Sequence, residues 1–302
     1  MSTFKTTIGI EEVNGFLRQK FAGGATEAVF IKGGEVSQAF AFDSGGKNYI
    51  LRVNRHNQRG FEKDRYAHEH FASVTVPIPK IHEIGKIGDN FYALSERAPG
   101  ETLLNLVKGD VESCLQSFLS VLDELHSRDV SLARGYGLLD ERGIGESSSW
   151  NEAVLSIEKQ DWGKRFEETF MEKSLYESLL GKLKELVVYC PEHRSLVHGD
   201  YSFDNVLSDG SNVTGVIDWA QSMYGDFLYD IAWVSFWPSS MDYVDRFKDF
   251  YTRKGSLPPH FHERVLCYQV WIALNSLGFY AYSNQRDKYE WAKSRIFSLL
   301  RR

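Results

Sequence analysis

The sequence predicts an α+β protein in two lobes: a small antiparallel β N-terminal lobe over residues 1–97 and a larger, mainly helical C-terminal lobe over 98–302. Three observations predict it. Short apolar runs separated by glycine turns fill the first third of the chain, the pattern of hairpin-linked strands. Apolar residues recur at helical spacing through much of the chain after Gly100. The change falls at Ser95 to Gly100, where Pro99-Gly100 ends an apolar strand. A cleft between two such lobes is the default place for a ligand.

In the first lobe, Ala28 to Ile31 reads as a strand, Lys32-Gly33-Gly34-Glu35 as a turn and Val36 to Phe42 as a second strand. Ser44-Gly45-Gly46-Lys47 turns the chain into a third strand, Tyr49 to Val53. Residues 60–73 are charged and helix-periodic, with Phe61, Tyr66 and Phe71 as an apolar stripe, and Pro77 and Pro79 come after the helix. Lys80 to Ile87 and Asn90 to Glu96 complete the strands. In the second lobe, residues 110–128 form a helix on Cys114, Phe118, Val121, Leu122 and Leu125. A glycine-rich loop spans 135–145, and helices cover 150–158 and 161–189. A β interlude at 195–219 ends in the hairpin 205–207 and 213–217. Residues 240–302 are helices broken at Ser256-Leu257-Pro258-Pro259 and Ser283-Asn284.

Composition excludes several classes. With 42% apolar and 14% aromatic residues the chain is not disordered. Lys plus Arg is 35 against 41 Asp plus Glu, a net charge of −6, which disfavours broad nucleic-acid backbone binding and suits a cationic ligand. The three cysteines, Cys114, Cys190 and Cys267, are far apart and make no disulfide framework, as expected in a reducing compartment. No stretch approaches the ~20 apolar residues of a membrane span, and the first residues lack a signal-peptide core. The expectation is a cytoplasmic monomer that acts on a small molecule, with no nucleic-acid or membrane partner.

The chemistry concentrates in His198-Gly199-Asp200-Tyr201-Ser202-Phe203-Asp204-Asn205 and in Val216-Ile217-Asp218-Trp219. Phosphoryl transfer needs a carboxylate to accept the proton of the attacking hydroxyl, and hard oxygen ligands for Mg²⁺. Asp200, Asn205 and Asp218 supply those groups in the order and with the Asp-to-Asn offset of the kinase pattern H-R-D-x-x-x-x-N followed by D-F-G. A metal site on His198 and Asp200 lacks the further His or Cys such sites use. His198 reads as a structural histidine. In the first lobe the Gly33-Gly34 turn and the Ser37 hydroxyl are placed to cap phosphates. Arg52, on the third strand, stands where a kinase carries its phosphate-binding lysine. Its acidic partner is Glu62, Asp64 or Glu69, which the sequence leaves open. The strand through Ser95 and Arg97 offers its backbone to adenine. Asp230 reads as a buried carboxylate bracing the catalytic loop.

On these motifs, with Lys63-Asp64-Arg65-Tyr66, Pro77-Ile78-Pro79, Gly143-Ile144-Gly145, Asn205-Val206-Leu207 and Met223-Tyr224-Gly225-Asp226, the chain resembles the aminoglycoside phosphotransferases. Within them it is most similar to the branch acting on hygromycin B, over nearly its whole length. The resemblance implies a protein-kinase-like fold. It also implies transfer of the γ-phosphoryl of ATP, or of GTP, to a hydroxyl of an aminocyclitol antibiotic. Asp200 is then the base, Asn205 and Asp218 hold Mg²⁺, and Arg52 meets the phosphates. Arg rather than Lys at this position points to the hygromycin branch. That branch has Ala where this chain has Gly199, a difference expected to be harmless. Residues 201–204 and the helices after 240 match less well. Asp200, Asp204, Asp226 and Trp237 are the candidates for meeting a cationic sugar, by charge pairing and ring stacking. A small-metabolite kinase of the same fold, for choline, a sugar or homoserine, and a non-catalytic nucleotide-binding protein are the other readings.

Overall fold

Five antiparallel strands, β1 (Val29–Ile31), β2 (Gln38–Ser44), β3 (Lys47–Asn54), β4 (Ile81–Ile87) and β5 (Asn90–Glu96), form one sheet in the order β1-β2-β3-β5-β4. The chain is known from a computed structural model that describes residues 6–32, 36–55, 58–106, 111–238 and 242–301, with side chains left out at 111–113. The Gly33-Gly34-Glu35 turn lies outside the described residues. Strand alternation sorts β3 into two faces. Leu51 and Val53 join Phe40, Phe42, Tyr92 and Leu94 in a core closed by α1 (Ile10–Lys20) through Val13 and Leu17. Arg52, between them, belongs to the other face, where Phe61 of α2 (Gln58–Phe71) packs with Ile81 and Ala93.

The sequence reading leaves α1 unassigned. Its signal is present: Val13 and Leu17 lie at i, i+4, with Glu11 and Glu12 in the first turn and Arg18 and Lys20 in the last, matching the helix dipole.

A second sheet, in the order β11-β10-β6, joins β6 (Glu101–Thr102), β10 (Val206–Ser208) and β11 (Val213–Val216). α3 (Leu103–Leu106) and α4 (Val111–His126) come after β6 in the chain. These segments, α4 as far as Val121, belong to the first of two packed units, Met1–Val121 with Phe203–Ala220. The sequence reading puts 98–121 and the hairpin in the second lobe instead. Long-range pairing draws them to the first: Leu207 faces Thr102, Val216 N–H donates to Pro77 O at 2.7 Å, and Val213 N–H donates to Ser117 Oγ at 2.9 Å. No local pattern encodes these partners.

The second unit is Leu122–Ser202 with Gln221–Arg302. Its sheet runs β8-β7-β12-β9, from β7 (Tyr136–Leu139), β8 (Gly145–Ser147), β9 (Ser195–Val197) and β12 (Met223–Gly225). The glycine-rich stretch expected as a loop thus supplies two strands. Gly135 shows why glycine is used: its φ is +71°, and a Cβ would lie 2.1 Å from Gly145 O. The helices are α5 (Trp150–Leu155), α6 (Trp162–Glu168), α7 (Lys173–Leu186), α8 (Leu228–Phe236), α9 (Tyr243–Lys254), α10 (Phe261–Tyr282) and α11 (Arg286–Leu300). α10 packs against α6, α7, α8 and α11, and is buried on several sides, as its apolar residues around the helix require. The single helix expected over 161–189 is broken after Glu168, where Thr169 Oγ1 donates to Arg165 O at 2.6 Å and accepts from Met171 N. α8 is a helix the sequence reading does not assign. No helix among the described residues is long and apolar enough to cross a membrane.

Candidate active site

The first unit holds Arg52, Asp64, Asn205 and Asp218. Arg52 donates to Asp64 Oδ2 in a close ion pair, and its guanidinium lies 5.2 Å from the centroid of the Phe61 ring. Burial alone would lower the Arg52 pKa; the charges of Asp64 and Asp218 and the Asp64 hydrogen bond raise it. The open choice of acidic partner is thereby settled. Glu62 accepts from Gln58 at 2.8 Å, and Glu69 is exposed. A signal for Asp64 exists in the sequence. It falls three residues after Phe61 and three before Ala67, within the buried stripe of α2.

Asp64 does a second job. Its Oδ1 accepts from Trp219 N–H at 2.7 Å. One carboxylate therefore bridges Arg52 and the residue after Asp218. The Trp219 ring is fully buried, 6.1 Å from that of Phe71, and its Nε1–H donates to Val216 O at 3.2 Å. Hairpin pairing places Asn205 beside the same segment, since Ile217 N–H donates to Asn205 O at 2.9 Å and Val206 faces Val216. Asp218 has a left-handed backbone, φ +64°, uncommon for a residue other than glycine. Its side chain is exposed, yet protein crowds it enough that loss of water raises its carboxyl pKa. The Asp64 charge adds to this, while Arg52, the Ala220 N–H and Lys63 oppose it. Among the described residues no group of three or more His, Cys, Asp or Glu side chains gathers as a metal cluster; the Asn205 amide oxygen and the Asp218 carboxylate are hard oxygen donors of the kind that suits a divalent cation such as Mg²⁺.

Ser37 Oγ accepts from Asn54 Nδ2 at 3.3 Å. Ser95 is buried in β5 opposite Ile50. Two N–H groups near the end of β5 are committed: Glu96 N donates to Lys80 O at 2.9 Å and Arg97 N to Asn48 O at 3.1 Å. Any adenine contact from this segment falls to its carbonyls or to Ala98. The exposed Arg97 also lines a cleft of about 490 Å³ with His68, Ser73, Pro77, Glu96 and Thr214, which includes neither Arg52 nor Asp218.

The second unit holds Asp200 and the start of the loop expected to be catalytic. β9 carries the chain to His198, which is fully buried, and Asp200 lies half-buried two residues on. Asp230, fully buried on α8, accepts from His198 N at 2.9 Å, Gly199 N at 2.8 Å and His126 Nε2 at 3.0 Å. The expected brace is present, and His126 is a donor the sequence reading misses. Asp200 N–H donates to His198 Nδ1 at 3.2 Å, so His198 is an acceptor within the loop and serves it structurally. Burial and the charges of Asp230 and Asp200 push the phenol of Tyr229, on α8, well up. Gly199 is not interchangeable with alanine in this backbone. Its φ is +81°, and a Cβ would sit 2.0 Å from Gln221 O.

The three other candidates for the sugar, Trp237, Asp226 and Asp204, are placed differently from one another. Trp237 is half-buried, stacked on Trp291 at 5.8 Å and edge-on to Trp233 at 5.2 Å. Asp226 corrects the sequence reading. It is 1% exposed. Arg264 binds both its oxygens, at 2.6 and 2.8 Å, and Tyr268 OH donates to Oδ2 at 2.6 Å. With its charge paired and its lone pairs occupied, Asp226 is a core carboxylate, not a partner for an antibiotic ammonium. Asp204, in the first unit, is exposed.

The chain is similar to known proteins over nearly its whole length. The chain is 32% identical to the hygromycin-B 4-O-kinase of Escherichia coli over 98% of its own length and 87% of that protein. A crystal structure of the aminoglycoside phosphotransferase APH(4)-Ia superposes with a TM-score of 0.85 at 32% identity, covering 97% of this chain and 99% of the other. A thermostable mutant of APH(4)-Ia in ternary complex with ADP and hygromycin B gives a TM-score of 0.85 at 32% identity, covering 96% and 98%. Spectinomycin phosphotransferase, at 14% identity and a TM-score of 0.63 over 97% of this chain and 93% of that one, shares the fold. The α+β, kinase-like fold expected from the sequence is the one these structures have. The phosphotransferase enzyme family model covers residues 27–263, most of the chain and all the site residues described above except Arg264, Tyr268 and Trp291. By that match and by its whole-length relative, the chain belongs to the phosphotransferase enzyme family.

Proposed function

We propose that this chain transfers the γ-phosphoryl of ATP to a hydroxyl of hygromycin B, the 4-hydroxyl by analogy with the E. coli relative, and so confers resistance. The observation that carries it is the Arg52–Asp64 pair, whose carboxylate also holds the peptide after Asp218. That linkage joins a phosphate-binding cation to a metal-ligand loop, an arrangement phosphoryl transfer uses. Asp200 accepts the proton of the attacking hydroxyl. Arg52 and Ser37 meet the phosphates, and the end of β5, with Ser95 and Arg97, meets the adenine. Asn205 and Asp218 hold Mg²⁺, which when bound neutralises charge on the β- and γ-phosphates. Asp204, Trp237 and Asp200 meet the antibiotic. The proposal includes nucleotide binding by the first unit, acceptor binding chiefly by the second and a cytoplasmic monomer.

ATP consumption measured with and without hygromycin B tests this. Hygromycin-dependent ADP release is expected, with the phosphorylated position fixed by NMR of the product. Turnover with choline, a sugar or homoserine but not with hygromycin B would make the chain a metabolite kinase. Nucleotide binding without turnover on any acceptor would make it a binding protein.

A further inference from the structure

Among the described residues, Lys63 is the one buried lysine, 9% exposed. Removing an ammonium from water is costly, and an apolar side chain of similar length fills such a site more cheaply. Packing alone therefore does not explain the residue. Its Nζ donates to the backbone carbonyl of Ala220. The neighbouring Asp64 accepts from Trp219 N–H at 2.7 Å. Two consecutive residues of α2 thus hold two consecutive residues of the loop, one by a carbonyl and one by an N–H. Both contacts fall directly after Asp218. That residue keeps a left-handed φ of +64°, a conformation uncommon outside glycine that its surroundings must hold in place. From the other side Ile217 N–H is held by Asn205 O at 2.9 Å.

We propose that Lys63 is a positioning residue for the metal-ligand loop: by tethering the Ala220 carbonyl it fixes the turn that aims the Asp218 carboxylate at a divalent cation. Asp64 ties the same turn to Arg52, so α2 sets the phosphate-site cation and the metal ligand together. The proposal rests on the kinase reading of the site. Without the tether the turn relaxes, Asp218 leaves its left-handed conformation, and cation affinity falls while the acceptor site is untouched.

The test uses the full chain as Lys63→Met and Lys63→Arg. Calorimetry measures affinity for the non-hydrolysable analogue AMP-PNP with and without Mg²⁺, and for hygromycin B without nucleotide. In Lys63→Met the gain in AMP-PNP affinity that Mg²⁺ brings should shrink by about 10-fold or more, the usual scale for a lost outer partner of a metal ligand. Its kcat should fall in step, and hygromycin B affinity should stay unchanged. Lys63→Arg, which keeps a charged donor, should recover most of the gain. If Lys63→Met is insoluble, Lys63→Gln takes its place under the same expectation. A full Mg²⁺-dependent gain in the Met or Gln variant overturns the proposal, as does an equal loss in Lys63→Arg. The nucleotide titration needs no acceptor, so it decides the role of Lys63 even if the wild-type protein does not turn over with hygromycin B.

Discussion

Asp64 carries more of the site than its sequence position suggests. A single buried carboxylate serves Arg52 with one oxygen and Trp219 N–H with the other. The guanidinium of Arg52 also lies over Phe61, so its orientation is fixed by packing as well as by charge. Asp200 is different: it is half-buried near the start of its loop, where the N–H groups of His198, Gly199 and Asp200 are already bound. Asp200→Ala should leave nucleotide binding intact and lower kcat by about 10²–10⁴-fold, the usual contribution of a general base. Steady-state kinetics beside calorimetry with AMP-PNP checks this. Retained turnover would remove Asp200 from the role of base. At this scale the sequence was informative about which residue types are present and in what order. The pairing of Arg52 with Asp64 was legible only in retrospect, because an acid inside an apolar helical stripe is a weak signal until the facing strand is known.

The elements that matter most are short. The loop that carries Asp200 is anchored where α8 presents Asp230 to two successive N–H groups, and His126 of α4 fixes the same carboxylate. Gly199 makes this possible, since its left-handed backbone brings the chain against Gln221. Gly199→Ala should strain the loop by about 1–2 kcal/mol for the backbone alone, more if Gln221 must move. A lower midpoint of urea unfolding together with reduced kcat is the expected result. Unchanged stability and rate would show that the loop adopts another path. The hairpin carrying Asn205 and Asp218 was visible in the sequence from Asp209-Gly210 and its apolar flanks. Its third strand, β6, was not, because two residues give no periodicity to detect.

For the whole molecule, the net charge of −6 suits a polycationic ligand, but only accessible carboxylates can act on one. Asp204 and Asp218 remain exposed, whereas Asp226 is consumed by Arg264 and Tyr268, with Trp150 Nε1 donating to Tyr268 at 2.8 Å. That network ties α5, α10 and the segment after β12 within the second unit. Asp226→Ala leaves the Arg264 charge buried and unpaired, and should cost about 3–5 kcal/mol of stability while the KM for hygromycin B stays unchanged. Denaturant titration and kinetics separate these. A raised KM at full stability would return Asp226 to the antibiotic site. The sequence by itself determined the fold class, the order of Asp200, Asn205 and Asp218 and the cation on β3, because these are written in local spacing and residue chemistry. Only the tertiary structure decided which acid meets Arg52, that Asp226 is a core residue, and that 203–220 packs with the first unit. Each of these depends on which distant segment covers a residue and takes it from water, and spacing along the chain does not carry that information.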